Sequence, residues 1–136
     1  MKNATNYALS EKEPTTYTYD TKQTDQLSNG PDYFFIKKNS ILTKVPHNDI
    51  LWLGAFGDYV IVNTKDQRFI LPITFKSLED KLPPGKFVRV HRSYIVQIDM
   101  IKVVENTTIF INNTSIPIPI GPFYKKNFIR RLNPLG

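Results

Sequence analysis

The 136-residue chain contains no cysteine, which excludes a disulfide framework and any thiolate-ligated metal site. It has two histidines, His47 and His91, too few for a histidine-rich metal centre. No apolar run approaches the ~20 residues of a membrane-spanning helix, so no membrane partner is expected. The N-terminus lacks the apolar core of a signal peptide, and a cytoplasmic protein is the simplest reading. Nothing repeats at a fixed period, which excludes a solenoid or a propeller. No motif sets a nucleophile or an acid beside His91, so its imidazole has no catalytic partner. No catalytic residue, metal or cofactor is expected.

What is present is positive charge, unevenly spread. Residues 1–32 hold three lysines against five acidic residues, a net of −2, whereas residues 33–136 hold fifteen basic and seven acidic residues, a net of +8. A basic domain attracts polyanions, and nucleic acid is the commonest of them. Residues 1–32 are polar, aperiodic and poor in large aliphatics, with only Leu9 and Leu27, and read as a flexible tail or linker. The turn signal Asn29-Gly30-Pro31-Asp32 closes that tail, leaving 33–136 as one domain long enough to bury a core.

Strand patterns follow. Tyr33–Lys37 and Ser40–Val45 flank a turn at Lys38-Asn39, and Pro46-His47-Asn48 breaks the chain before a strand over Asp49–Leu53. Gly54–Asp58 reads as a loop in which Gly54 and Gly57 allow positive φ. Tyr59–Thr64 and Gln67–Ile73 form a hairpin around Lys65-Asp66. Apolar residues on both faces of Tyr59–Val62 predict a strand covered on both sides. A short helix over Thr74–Leu82 is capped by Thr74 and stopped by Pro83-Pro84-Gly85, with Phe75, Leu78 and Leu82 on one face. Three more strands, Ile101–Val104, Thr108–Ile111 and Ser115–Ile120, lead to a C-terminal helix over Phe123–Leu132, with a turn at Asn112-Asn113. Ile116, Ile118 and Ile120 share a face. Pro117 and Pro119 lack the N–H groups a ladder needs, so their strand belongs at a sheet edge. The fold class is mostly β: small antiparallel sheets stacked in an elongated sandwich, with one short middle helix and a short C-terminal helix.

The most informative stretch is Phe87-Val88-Arg89-Val90-His91-Arg92-Ser93-Tyr94-Ile95-Val96. Its apolar members can anchor it in a core, leaving Arg89, His91, Arg92 and Ser93 near the surface as a cluster of donors. Arginine's planar fork suits phosphate and guanine edges, where it makes two parallel hydrogen bonds. The plainer reading is a strand with ordinary surface charges. This segment resembles the signature of the LytTR-type DNA-binding domain, roughly Phe-x-Arg-x-His-Arg-Ser-Tyr-x-Val-Asn. Phe87, Arg89, His91, Arg92, Ser93, Tyr94 and Val96 match, and Gln97 stands where the family usually has Asn. The resemblance covers about 33–132. It also takes in Asp49–Leu53, Gly57-Asp58-Tyr59-Val60, Ser77, Leu78 and Leu82, and Ile118-Pro119-Ile120 followed by Tyr124.

The resemblance implies binding of double-stranded DNA by loops laid into successive major grooves, at promoter direct repeats or similar sites, with a self-dimer on DNA as one arrangement. Family members usually regulate transcription, often as two-component response regulators with a phosphorylated receiver ahead of the DNA-binding domain. Residues 1–32 are too short for a receiver, which leaves a stand-alone regulator or a fragment. Arg92 is the residue assigned to base readout. Arg89 is either a salt-bridge partner or a phosphate contact. His91 either holds the Arg92 loop or touches phosphate itself, with Ser93 beside it. Asp58 accepts from cytosine or caps a turn, and Tyr59 meets phosphate through its hydroxyl or joins the core. Where the family often has Ser-Arg after its Ile-Pro-Ile segment, this chain has Gly121-Pro122. Tyr124, Lys125 and Lys126 lie just beyond, as phosphate contacts or as a solvated helix face. The alternative from another class is a β-rich protein-interaction module that has lost DNA binding. RNA binding lacks an obvious run of exposed stacking aromatics.

Overall fold

In the computed structural model, the described residues are 31–112 and 114–136. The expected tail lies outside them up to residue 30. Strand β1 (Tyr33–Lys38) pairs with β2 (Ile41–Pro46). Their turn sits at Asn39-Ser40, one residue later than the sequence predicts, because both positions take positive φ (52° and 69°). A two-residue hairpin turn needs that geometry, and asparagine tolerates it better than lysine. A 3-10 turn at His47–Asp49 leads into β3 (Ile50–Phe56), followed by β4 (Tyr59–Thr64) and β5 (Arg68–Leu71). Helix α1 (Phe75–Glu79) is shorter than expected. Thr74 Oγ1 accepts from Ser77 N at 3.1 Å, the predicted cap. Strands β6 (Phe87–His91) and β7 (Tyr94–Gln97) carry the signature segment. Then come β8 (Ile101–Glu105), β9 (Thr108–Ile111), β10 (Pro117–Pro119) and helix α2 (Pro122–Arg131).

The strands form three antiparallel sheets, β1-β2, β5-β4-β3-β7-β6 and β10-β9-β8. Strand alternation gives the five-stranded sheet two apolar faces. Ile50, Leu53, Val60, Val62, Phe69, Leu71, Phe87 and Ile95 pack with Ile36 and Val45 of the first hairpin and with Leu78 and Leu82 around α1. On the other face Leu51, Trp52, Val88, Val90 and Val96 pack with Ile109, Ile111, Ile118, Ile120 and Phe128. A bulge between Ile50 and Trp52 brings both Leu51 and Trp52 into this second core. The second core takes no residue from β4 or β5. Strand β4 is fully covered on one side only: Val60 and Val62 are buried, whereas on the other side Ile61 is half-buried and Tyr59 is 52 % exposed.

The proline-bearing strand β10 lies at a sheet edge, paired only with β9. Ile118 and Ile120 are buried as expected, but Ile116 is 49 % exposed because the strand begins one residue after it. Gly54 is not in a loop. It lies within β3, where a Cβ would come within 2.7 Å of the Phe56 ring and 2.9 Å of the Trp52 ring. Its function is space for two aromatic rings rather than positive φ.

Candidate nucleic-acid interface

Three turns meet at one end of the central sheet. The first, Gly57-Asp58, joins β3 to β4 and uses positive φ at Gly57 (60°). The second, Arg92-Ser93, joins β6 to β7. The third, Gly121-Pro122, joins β10 to α2. Backbone hydrogen bonds tie them together: Ala55 N donates to Ser93 O at 2.9 Å, and Gly121 N donates to Val90 O at 2.8 Å. A Cβ on Gly121 would stand 3.2 Å from Tyr124 Cδ2 and 3.5 Å from His91 Cδ2. Glycine there lets the third turn close against the second.

Arg89 and Arg92, alike in sequence, are used differently. Phe87 belongs to the core that α1 covers and Val88 and Val90 to the opposite one, so Arg89 emerges on the α1 side. Its Nη1 meets Glu79 Oε1 at 2.9 Å. Its Nε donates to His91 O at 3.0 Å, and its Nη2 to Arg92 O at 2.5 Å. The guanidinium also lies 4.7 Å from the centre of the Phe75 ring, a favourable cation–π distance. Arg89 thus clamps the carbonyl groups of the turn from inside. Glu79 has no signal in the sequence as its partner, because helix–strand packing alone brings the two together. Arg92 is exposed, and among the described residues it takes part in no ion pair.

His91 is half-buried, and its Nδ1 accepts from Ser93 N at 3.0 Å. The neutral ring therefore carries its proton on Nε2. Tyr94 is the hub of a ring cluster, with His91, Trp52 and Phe56 at centroid distances of 5.5, 5.7 and 6.1 Å. Asp58 and Tyr59 are exposed at the first turn; Lys125 and Lys126 are exposed on α2. Tyr124 is half-buried, its ring centre 5.9 Å from the Arg89 guanidinium. Arg131 is turned inward, donating to the carbonyls of Pro84 and Phe87.

Gln97, where the sequence departs from the LytTR signature, is fully buried. Its Nε2 donates to His47 O at 2.9 Å and to Ile50 O at 2.5 Å, bracing the 3-10 turn before β3. The departure lies in the core, not on the surface formed by the three turns.

Comparison with known proteins gives the family and the fold. The LytTr DNA-binding domain family matches residues 40–133. The sensory transduction protein LytT of Bacillus subtilis is 29 % identical over 119 residues, covering 84 % of this chain and 49 % of LytT. The transcriptional regulatory protein YpdB of Escherichia coli K12 is 31 % identical over 85 residues, covering 62 % of this chain and 34 % of YpdB. The chain spans half or less of the length of these relatives. A solved LytTr DNA-binding domain of a methyl-accepting/DNA response regulator from Bacillus cereus superposes with a TM-score of 0.66 at 24 % identity, covering 76 % of this chain and 98 % of that one; it shares the fold. No helix among the described residues is long and apolar enough to cross a membrane. With the family match spanning most of the folded domain, and the signature segment forming the middle of the three turns, the chain belongs to the LytTr DNA-binding domain family.

Proposed function

We propose that this domain binds double-stranded DNA sequence-specifically, inserting its turns into successive major grooves and so regulating transcription. The observation that carries this reading is the assembly of three turns at one sheet end, with Arg92 exposed on the middle turn and Arg89 clamping that turn from behind. A rigid sheet positions the loops, and phosphate contacts fix the register. Arg92 reads a guanine edge through its planar fork. Lys125 and Lys126, together with the Tyr59 hydroxyl, hold phosphates. His91 and Ser93 shape the Arg92 turn, and the His91 Nε2 proton faces a phosphate. Asp58, exposed on the first turn, accepts from cytosine N4. Arg89 and Tyr124 act from behind, as supports of the contacting residues. Two domains side by side on direct repeats are the arrangement that suits a transcriptional regulator of this family.

The test is a titration of selected and scrambled duplexes against the full chain at several salt concentrations. The expected result is salt-sensitive binding with a clear preference for the selected site. Equal affinity for both duplexes refutes sequence-specific readout. Absence of binding at low salt refutes the reading as a whole.

A further inference from the structure

The end of the sheet that carries the three turns also carries apolar surface that no described residue covers. Phe123 is 96 % exposed, although it lies in the first turn of α2 and directly follows Pro122, whose fixed φ pre-forms the helix start. It stands two residues past Gly121, whose backbone is held to Val90 and rests against His91. Phe56 is 45 % exposed beside the first turn, its ring packed on Tyr94 and lying over Gly54. In the sheet order β3 lies on the β7 side of the Arg92-Ser93 turn, while Gly121 bonds to β6. The segments that carry the two phenylalanines therefore lie on opposite sides of the Arg92-Ser93 turn.

Neither ring has a donor for guanine or phosphate, so neither can do what an arginine does there. Each can touch an apolar group. The major groove presents one such group at the base edges, the C5-methyl of thymine, and phenylalanine is among the side chains that contact it. We propose that Phe123 reads a thymine methyl in the target site, and that Phe56 makes a second such contact on the other side of Arg92. This rests on the DNA-binding reading above and deepens it: the preferred site carries thymines on both sides of the guanine met by Arg92.

The experiment replaces each thymine of a selected site, one at a time, by deoxyuridine, which lacks only the methyl group. The parent chain is expected to lose roughly three- to fivefold in affinity at one or two thymines, the size set by removing one buried methyl. Phe123→Ala weakens binding to the thymine duplex by a similar factor and abolishes the thymine–deoxyuridine difference at one of those positions. Phe56→Ala abolishes it at the other. Phe123→Ala keeps the parent's salt slope and thermal midpoint, because its side chain touches neither phosphate nor core. The proposal is overturned if no deoxyuridine substitution matters, or if the difference at every position survives Phe123→Ala. Equal weakening on both duplexes also overturns it, and identifies a ring wedged between base steps, which bends DNA without reading the methyl. Failure of the DNA-binding reading is distinct: the parent chain then retards no duplex even at low salt.

Discussion

Arg89→Ala separates a residue that touches DNA from one that holds the residue that does. The substitution removes the ion pair with Glu79 and two bonds to the carbonyls of His91 and Arg92. The Glu79 side chain is 36 % exposed, so the pair contributes at most about 1 kcal/mol. The turn carbonyls recover water when the guanidinium leaves, which holds their combined net contribution to about 1 kcal/mol. Loss of the contact over Phe75 adds roughly 0.5 kcal/mol. Together the stability loss is about 2–3 kcal/mol, which lowers the thermal midpoint by roughly 10–15 °C in a domain of this size. The effect on DNA has a different origin. Without the clamp, binding must order the backbone of Arg92 and Ser93, at roughly 1–2 kcal/mol per residue. Affinity then falls about 30- to 700-fold. Because Arg89 meets no phosphate, the plot of log affinity against log salt keeps the parent's slope. The assays are thermal unfolding and a salt titration of binding to a selected duplex, both below the variant's midpoint. A slope reduced by about one unit identifies a lost phosphate contact and refutes the positioning argument. An unchanged midpoint refutes the clamp itself.

Other perturbations follow from the same geometry. Arg92→Ala should cost about 1–3 kcal/mol of binding and relax preference at one base position, whereas Lys125→Ala should weaken all duplexes equally and reduce the salt slope by about one unit; equal weakening of all duplexes by Arg92→Ala would make it a phosphate clamp. Phe87→Ala, at a buried ring that meets His47 edge-on with centroids 6.2 Å apart, should destabilise by about 3–5 kcal/mol, read from the urea midpoint. Gln97→Leu should destabilise by about 2–4 kcal/mol, because it leaves the carbonyls of His47 and Ile50 without their donor in a buried site; a neutral result would show that water replaces the amide. Burial, and then the charge of Lys86, hold the His47 pKa below its ordinary 6.5 against the opposing pull of Asp32. The unfolded chain then binds more protons between the folded value and 6.5, so stability should fall as pH drops through 6.5. Thermal midpoints at several pH values should show this in the parent and lose it in His47→Gln.

Much of this protein is decided locally. Alternating apolar residues, separated by turn formers, produce the strands, and Thr74 caps α1 because its hydroxyl reaches a backbone N–H three residues on. Pro117 and Pro119 force their strand to a sheet edge because they cannot donate to a second neighbour. The signature around His91 identifies the family from the sequence alone, because its chemistry is concentrated in one stretch of chain. What the local sequence does not contain is which side chains the fold turns inward. Arg89 and Arg92 carry the same fork three residues apart, yet packing of α1 on the sheet brings Glu79 to one and leaves the other in solvent. Gln97 reads as a change at the end of a DNA-binding signature; strand parity buries it, and its amide pairs with carbonyls about fifty residues earlier in the chain. Gly54 resembles a loop residue until two aromatic rings are seen to occupy the space its side chain would fill. Phe123 and Phe128 lie on the same helix, yet packing of α2 on the second core buries Phe128 and leaves Phe123 96 % exposed. Pairings between residues distant in sequence depend on how the layers close, and that closure is a property of the whole packed chain.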